Sequence, residues 1–329
     1  MNKTQSELAH YAWNPVTGCL NDCRYCYTKR SILRFSSDFR RNMTDPRVRE
    51  VGRKLFELDE PWALDNGRFL NSPMGFAPTL HRYRLDFPQK LKVGSSIVVC
   101  LEGELFGPWV PTEWILQVFE AAKKAPQHQY IFITKCPARL RQMAATGELP
   151  RDESFWYGTT VTSPDDMMFL GKGYKTFITV EPILESFAGC QDQLIALASQ
   201  MEWIVIGAET GRDRGKVVPQ ADWIEDILAA ADATRTPVFM CKSMEKIVGA
   251  DKMRREKPAA LLNEEPTEMQ KKRLWEYCTI CRKYRPMKEM YALLLRRKRG
   301  DNPERIAYMC PECYEKFSAR LKKGEHDEV

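Results

Sequence analysis

No apolar run in this 329-residue chain approaches the roughly 20 residues needed to cross a bilayer, which argues against a helical membrane anchor. The opening Met1-Asn2-Lys3-Thr4-Gln5-Ser6 lacks the apolar core of a secretory signal, so an intracellular, cytoplasmic protein is expected. Net charge is also slight at +6, but it is unevenly placed. Residues 271–329 hold 16 basic and 9 acidic side chains, essentially the whole excess. Such a basic tail is an electrostatic footprint for phosphate. Cysteine is not scarce: there are 11, falling into sets with metal-ligand spacing. In a reducing compartment such sets read as ligands rather than disulfides.

What the first set lacks decides its chemistry. Cys19-Leu20-Asn21-Asp22-Cys23-Arg24-Tyr25-Cys26 spaces three cysteines as C-x3-C-x2-C and offers no fourth. A 4Fe–4S cluster usually takes four thiolates, so three leave one iron open. S-adenosylmethionine (SAM) can chelate that iron through its amino and carboxylate groups, and one electron then cleaves the sulfonium to a 5′-deoxyadenosyl radical. The spacing, with aromatic Tyr25 before the last cysteine, resembles the radical-SAM signature. A zinc knuckle short of one ligand, or three unrelated thiols, are the competing readings; zinc sites prefer closed sets of four.

Pro15 and Gly18 turn the chain into this loop, and Tyr25 to Phe35 reads as a helix. Residues 36–78 form an insertion in which Asp45 to Leu58 is expected to be helical. From residue 96 a rhythm begins. Short β-branched or aromatic runs start at Ser96, Tyr130, Phe155, Thr176, Trp203 and Pro237, and amphipathic stretches lie between them. The helix candidates are Pro111–Ala125, Ala138–Ala145, Gln191–Gln200 and Gln220–Ala233. This alternation predicts an α/β fold with a parallel sheet. With a strand before Cys19 and one near Tyr83, it fits a partial or complete TIM-like (βα) barrel. An open doubly wound sheet fits the same pattern.

Polar residues gather at the strand ends: Glu102 and Glu104, Lys135, Glu181, Glu209 and Lys242. In βα barrels that end carries the active site. Singly, each is more often a helix cap or a surface charge. Cys100, Cys136, Cys190 and Cys241 are most simply buried structural cysteines; Cys100 and Cys241, at predicted strand ends, are the better candidates for hydrogen-atom donors.

Trp13-Asn14-Pro15-Val16-Thr17-Gly18-Cys19, Leu105-Phe106-Gly107-Pro108-Trp109-Val110-Pro111, Thr179-Val180-Glu181-Pro182-Ile183 and Trp203-Ile204-Val205-Ile206-Gly207-Ala208-Glu209-Thr210-Gly211 together resemble a radical-SAM family of phages and prophages. That family was long catalogued as a phage domain of unknown function and is distantly similar to spore photoproduct lyase. The resemblance spans roughly residues 8–248. Many relatives have a longer gap between the first two cysteines, and tend to read Phe-Met-Lys where Phe239-Met240-Cys241-Lys242 stands here. The resemblance implies that Cys19, Cys23 and Cys26 bind the cluster and that Tyr25 lies against the SAM adenine. Glu102-Gly103-Glu104 resembles the acidic motif that holds the SAM amino group. Glu181 and Glu209 are further cofactor-binding candidates, and Cys100, Cys241 and Lys242 catalytic ones.

After residue 248 the pattern breaks into a linker over 249–275 and a small C-terminal module over 276–329. Cys278, Cys281, Cys310 and Cys313 make two C-x2-C knuckles, a structural zinc signal with a second iron–sulfur cluster as competitor. Leu293 to Gly300, with Arg296, Arg297, Lys298 and Arg299, suits a hairpin meeting a DNA backbone, or a solvated loop.

The expected activity is therefore a radical-SAM enzyme acting on DNA, fed by flavodoxin or ferredoxin, in the host cytoplasm if phage-encoded. The resemblance implies modified thymine in phage DNA: an N-linked glycinyl-thymidine isomerised to the C-linked form, protecting the DNA from restriction. A thymine photoproduct repair lyase is the nearest enzymatic alternative. A non-catalytic iron–sulfur and zinc DNA-binding redox regulator is the alternative from another class, but it leaves the barrel and the missing fourth ligand unexplained.

Overall fold

The computed structural model describes residues 2–3, 6–36, 39–64, 67, 69–210, 216–262, 275–277, 281, 284–286, 291–295 and 305–322. Seven parallel strands make the central sheet: β1 (Tyr11–Trp13), β2 (Ser96–Val99), β3 (Gln129–Thr134), β4 (Phe155–Val161), β5 (Lys175–Val180), β6 (Trp203–Ile206) and β7 (Val238–Met240). Their spatial order is their chain order, and Asn2–Lys3 adds an antiparallel edge outside β1. A doubly wound sheet reverses its order at a switch point. The unbroken order here is singly wound, and β1 and β7 do not pair, so the architecture is a partial barrel.

Both faces of the sheet are apolar, as buried parallel strands require. Outside, the helices α1 (Tyr27–Phe35), α2 (Thr112–Lys123), α3 (Pro137–Thr146), α4 (Gln191–Ala198) and α5 (Glu225–Thr234) follow their strands. Phe119 of α2 packs on Phe132, Phe155 and Tyr157 with ring centroids 5.3, 5.8 and 6.4 Å away. The alternate strand positions, Val98, Ile131, Trp156, Phe177, Trp203, Val205 and Phe239, form the inner face with Leu8, Ala9 and Leu261. Leu261 comes from beyond Val248, where the chain continues along the sheet. Met240 N donates to Arg254 O (2.8 Å) and Glu256 N to Val238 O (2.9 Å), covering the free edge of β7.

Two sequence expectations are corrected. The stretch from Asp45 to Leu58 is not helical: it holds the strands Arg49–Gly52 and Leu55–Leu58, with Lys54 turning between them at φ 60°. The strand near Tyr83, Thr79–His81, does not join the barrel. It belongs to a four-stranded sheet in the order Val16–Thr17, Thr79–His81, Leu55–Leu58, Arg49–Gly52. That sheet shares a core of Phe56, Leu58, Trp62, Leu70 and Met74, which overrides local preference. Among the described residues no helix is long and apolar enough to cross a membrane.

Candidate active site

The cysteine loop leaves β1 at the carboxyl end of the sheet and is held on two sides. Gly18 N donates to Glu102 O (2.9 Å), Glu104 N to Gly18 O (3.1 Å), and Cys19 N to Phe76 O (3.2 Å). Gly18 has φ +82°, and a Cβ there would lie 2.3 Å from Ala77 O. A Cβ on Gly103 would lie 3.0 Å from Gly18 O. Two glycines thus allow the loop and the end of β2 to touch, which sets Glu102-Gly103-Glu104 beside Cys19. The strand that carries this acidic segment is the second of the barrel.

Below the loop lies a buried polar layer. Thr17 Oγ1 is 2.9 Å from His81 Nε2, and Tyr83 OH is 3.3 Å from His81 Nδ1. Arg84 donates to Asn14 O at 3.0 Å and Asn71 O at 2.6 Å. Burial, with Arg84 second, holds His81 well below its ordinary pKa, so the ring is neutral.

Within the loop Cys26 caps α1, its Sγ accepting from Lys29 N at 3.3 Å, and Cys19 Sγ accepts from Asn21 N at 3.3 Å. Burial pushes the Cys19 thiol up to about 12, so a metal binding there must displace its proton. Cys19, Cys23 and Cys26 are not drawn in for a single ion. Among the described residues, the one set of three donors within 4.8 Å of one another is Cys281, Cys310 and Cys313. Three thiols with no fourth in the loop suit a cluster with one open iron better than a closed four-ligand ion.

Beside the loop an open cleft of about 650 Å³ is lined by Asn21, Cys23, Tyr25, Lys135, Cys136 and Arg139, among others. Lys135 Nζ lies 5.6 Å from the Tyr25 ring centroid. Burial raises the Tyr25 phenol, with Cys23 adding to it. The Cys136 thiol donates to Asn21 Oδ1 at 3.6 Å. Two cleft donors, Asn21 Nδ2 and Arg139 Nε, are buried with no protein partner among the described residues. A cleft that brings thiols together with unpaired polar donors fits a polar ligand.

Glu104 is fully engaged by protein. Its Oε1 accepts from Phe106 N (3.1 Å) and Thr134 Oγ1 (2.6 Å), and its Oε2 from Lys135 N (2.9 Å). It fastens the end of β2 to the end of β3. Burial raises its carboxyl, and these bonds oppose the rise. Glu102 is half-buried, its carboxyl raised by burial and lowered by Arg84. Glu181 packs on Gly207, where a Cβ would stand 2.8 Å from Glu181 Cγ. Burial raises the Glu181 carboxyl, and a hydrogen bond with Cys241 lowers it. Glu209 Oε1 is buried and unpartnered among the described residues. The Lys242 side chain is exposed, and its backbone N donates to Glu7 Oε1 at 2.8 Å.

Cys100 and Cys241 are buried, at 4% and 6% exposure. Burial pushes the Cys100 thiol up to about 12 and raises that of Cys241, with Glu181 second. Alkylation needs thiolate, and a raised pKa keeps both as S–H through pH 7 to 9. Iodoacetamide at pH 8 is expected to leave Cys100 and Cys241 unmodified in the folded protein and to label both in guanidinium; peptide mass mapping reads the result. Rapid labelling of folded Cys241 would contradict its burial.

Sequence reasoning passed over Tyr27, which follows the last cysteine. It is 59% exposed. Its phenol is nonetheless raised by burial, with Glu181, Cys26 and Glu102 contributing, as at the rim of a concavity. Its position next to Cys26 was the available signal.

In the tail, Cys281 Sγ and Cys310 Sγ are 3.8 Å apart. Two sulfurs on one tetrahedral zinc, at 2.3 Å bonds, lie about 3.8 Å apart. Cys313 completes the trio, at the start of the helix Pro311–Lys322. Cys278 and the basic run 296–299 lie outside the described residues.

The sequence profile of a family described as "Protein of unknown function (DUF5131)" matches residues 3–270. No curated protein matches the chain. Among solved structures the chain is similar to spore photoproduct lyase. A cysteine-to-serine variant gives 10% identity and a TM-score of 0.37. The lyase complexed with dinucleoside spore photoproduct gives 11% and 0.34, and a double variant with bound AdoMet and dinucleoside spore photoproduct 12% and 0.35. Each comparison covers 98% of this chain and 74% of that one. At these scores the likeness bears on neither substrate nor residue roles.

Proposed function

This chain belongs to the DUF5131 family, whose description assigns no function, so its chemistry has to be read from its own residues, and we propose that it is a radical-SAM enzyme acting on a thymine nucleotide of DNA. One observation carries the reading: a loop with three cysteines and no fourth is bonded at Gly18 to the Glu102-Gly103-Glu104 segment at the end of the second barrel strand. Cys19, Cys23 and Cys26 would hold a 4Fe–4S cluster, with Tyr25, Glu102, Glu181 and Glu209 around SAM. So bound, the pair supplies one-electron cleavage of SAM and with it hydrogen abstraction from an unactivated C–H bond.

The chain's own residues do the rest. Glu104 fixes the strand ends that shape the cleft, and Lys135 stands over Tyr25. Cys241, kept as S–H beside Glu181, is suited to return a hydrogen atom, and Cys100 is the second candidate; Lys242 stands next to Cys241 at the same strand end. The C-terminal module, with zinc on Cys278, Cys281, Cys310 and Cys313, would hold the DNA backbone, and a flavodoxin or ferredoxin would supply electrons. A base inside a duplex is out of reach of such a cleft, so the target would be flipped out. Isomerisation of an N-linked glycinyl-thymidine to the C-linked form suits this arrangement: a thiol would supply a hydrogen atom in place of the one lost from the glycyl α-carbon, and its sulfur radical would be returned to S–H by one electron from the flavodoxin or ferredoxin and one proton from water.

Anaerobic reconstitution followed by SAM and dithionite tests the proposal. 5′-Deoxyadenosine is expected, and nucleosides from treated phage DNA should show an unchanged mass at a shifted retention time. A mass change would assign lyase chemistry instead. No deoxyadenosine from fully loaded protein would overturn the enzymatic reading.

A further inference from the structure

The chain's charge is divided by segment. Residues 24–54 hold ten Lys and Arg against three Asp and Glu, and residues 271–329 hold sixteen against nine. The remainder holds twenty-four against thirty-two, so the body is acidic and the positive excess stands in two places. The tail is one. The other begins inside the cysteine loop.

The structure gives this second segment a built surface. Tyr27, Ser31 and Arg34 are exposed and follow one another at intervals of four and three, which puts them along one side of α1, and Arg24 is exposed in the turn just before that helix. Arg40 and Arg41 are exposed on the short helix Phe39–Asn42, and Arg53 and Lys54 on the hairpin turn. Other cations of the segment are tied into its frame. Lys29 pairs with Asp22, Arg47 with Asp45, and Arg49 with Glu57. Arg24, Arg40, Arg53 and Lys54 make no ion pair among the described residues. The frame is fixed to the site, because Asn42 Nδ2 donates to Pro73 O at 2.8 Å and Cys19 N to Phe76 O at 3.2 Å. A surface that serves only solubility intersperses both signs; this segment, beside an acidic body, holds ten cations against three carboxylates, one of them Glu50, which accepts from Lys54 N at 3.0 Å.

We propose that residues 24–36 and 39–54 form a second contact for the DNA backbone, at the edge of the cysteine loop. This rests on the reading that the substrate is DNA. Guanidinium and ammonium groups that neutralise phosphates release counterions, so the contact would show in the salt dependence of binding. With the tail gripping elsewhere, the arm would hold the strand against the cleft while the acidic body repels it from other surfaces.

The test uses the full-length protein with its cluster reconstituted and a fluorescein-labelled DNA duplex, followed by anisotropy across about 50 to 200 mM salt. The triple variant Arg40→Gln, Arg53→Gln, Lys54→Gln is expected to flatten the slope of log Kd against log salt by about 2.7, and to weaken low-salt binding by more than about tenfold. R40K with R53K should keep the wild-type slope. Iron content and circular dichroism confirm that the variant is folded. Wild-type Kd and slope in the triple variant would overturn the arm, and unchanged deoxyadenosine formation there would leave the enzymatic reading intact. Failure of the wild type to bind duplex would sink the DNA reading beneath it. Tighter binding to RNA of the same sequence would overturn the choice of DNA.

Discussion

On the proposed reading, Cys23→Ser is expected to abolish iron binding at the loop while leaving metal binding by Cys281, Cys310 and Cys313. A hydroxyl stays protonated at neutral pH and is a poor ligand for iron, and with only three thiolates in the loop none is spare. Deoxyadenosine formation should fall by more than about 100-fold, beyond the loss seen when an outer-shell partner of a metal is removed. The fold should survive. Cys23 is half-buried and lies outside the hydrophobic clusters of the sheet, so secondary structure and metal binding by Cys281, Cys310 and Cys313 are expected to be unchanged. Metal analysis of the purified variant reads both outcomes. Loss of both metals would contradict the division into two independent modules.

Gly18→Ala is expected to be the most damaging glycine-to-alanine change among the described residues. The left-handed backbone at φ +82° costs an L-residue about 1 to 2 kcal/mol. The new Cβ would meet Ala77 O at 2.3 Å, Ala77 C at 2.5 Å and Pro78 N at 2.8 Å, all backbone atoms of the insertion. Relief requires moving a strand end that carries the Gly18–Glu102, Glu104–Gly18 and Cys19–Phe76 hydrogen bonds. Each such bond contributes about 1 kcal/mol, so the total loss is expected at roughly 3 to 5 kcal/mol. Cluster content should fall with it, because the same movement displaces Cys19 from Glu102-Gly103-Glu104. Gly147→Ala is the control. Its φ is +78°, but nothing lies within 4 Å of the added carbon, so only the conformational cost of about 1 to 2 kcal/mol is expected. Equal stability and equal iron in the two variants, measured by guanidinium denaturation and metal analysis, would remove Gly18 from the site's architecture.

The barrel was legible in the sequence because buried parallel strands leave a strong trace. Ile97-Val98-Val99, Tyr130 to Thr134 and Trp203 to Ile206 are short apolar runs between amphipathic stretches, and each became a strand. Whether those strands ran singly or doubly wound was not legible, since local pattern carries no spatial order. The insertion failed for a related reason. Arg49-Glu50-Val51-Gly52 has neither the period nor the apolarity of a strand; it becomes one by pairing with Leu55–Leu58, which in turn pairs with Thr79–His81. In the site, the cysteine spacing named the loop at once. Spacing could not say that Glu104 is consumed by Thr134 and Lys135 while Glu102 is left half-buried, because that depends on how β3 abuts β2. The basic arm was hidden by the net charge, where its excess cancels against the acidic body.

The central claim is an iron without a protein ligand. Electron–nuclear double resonance on the reduced cluster, with SAM carrying nitrogen-15 at its amino group, measures this directly. A nitrogen coupling of directly bound strength is expected, and it should persist unchanged in Cys136→Ser, which removes the one other thiol lining the same cleft as Cys23. A fully loaded cluster that shows no such coupling, or whose spectrum changes when Cys136 is removed, would contradict the account.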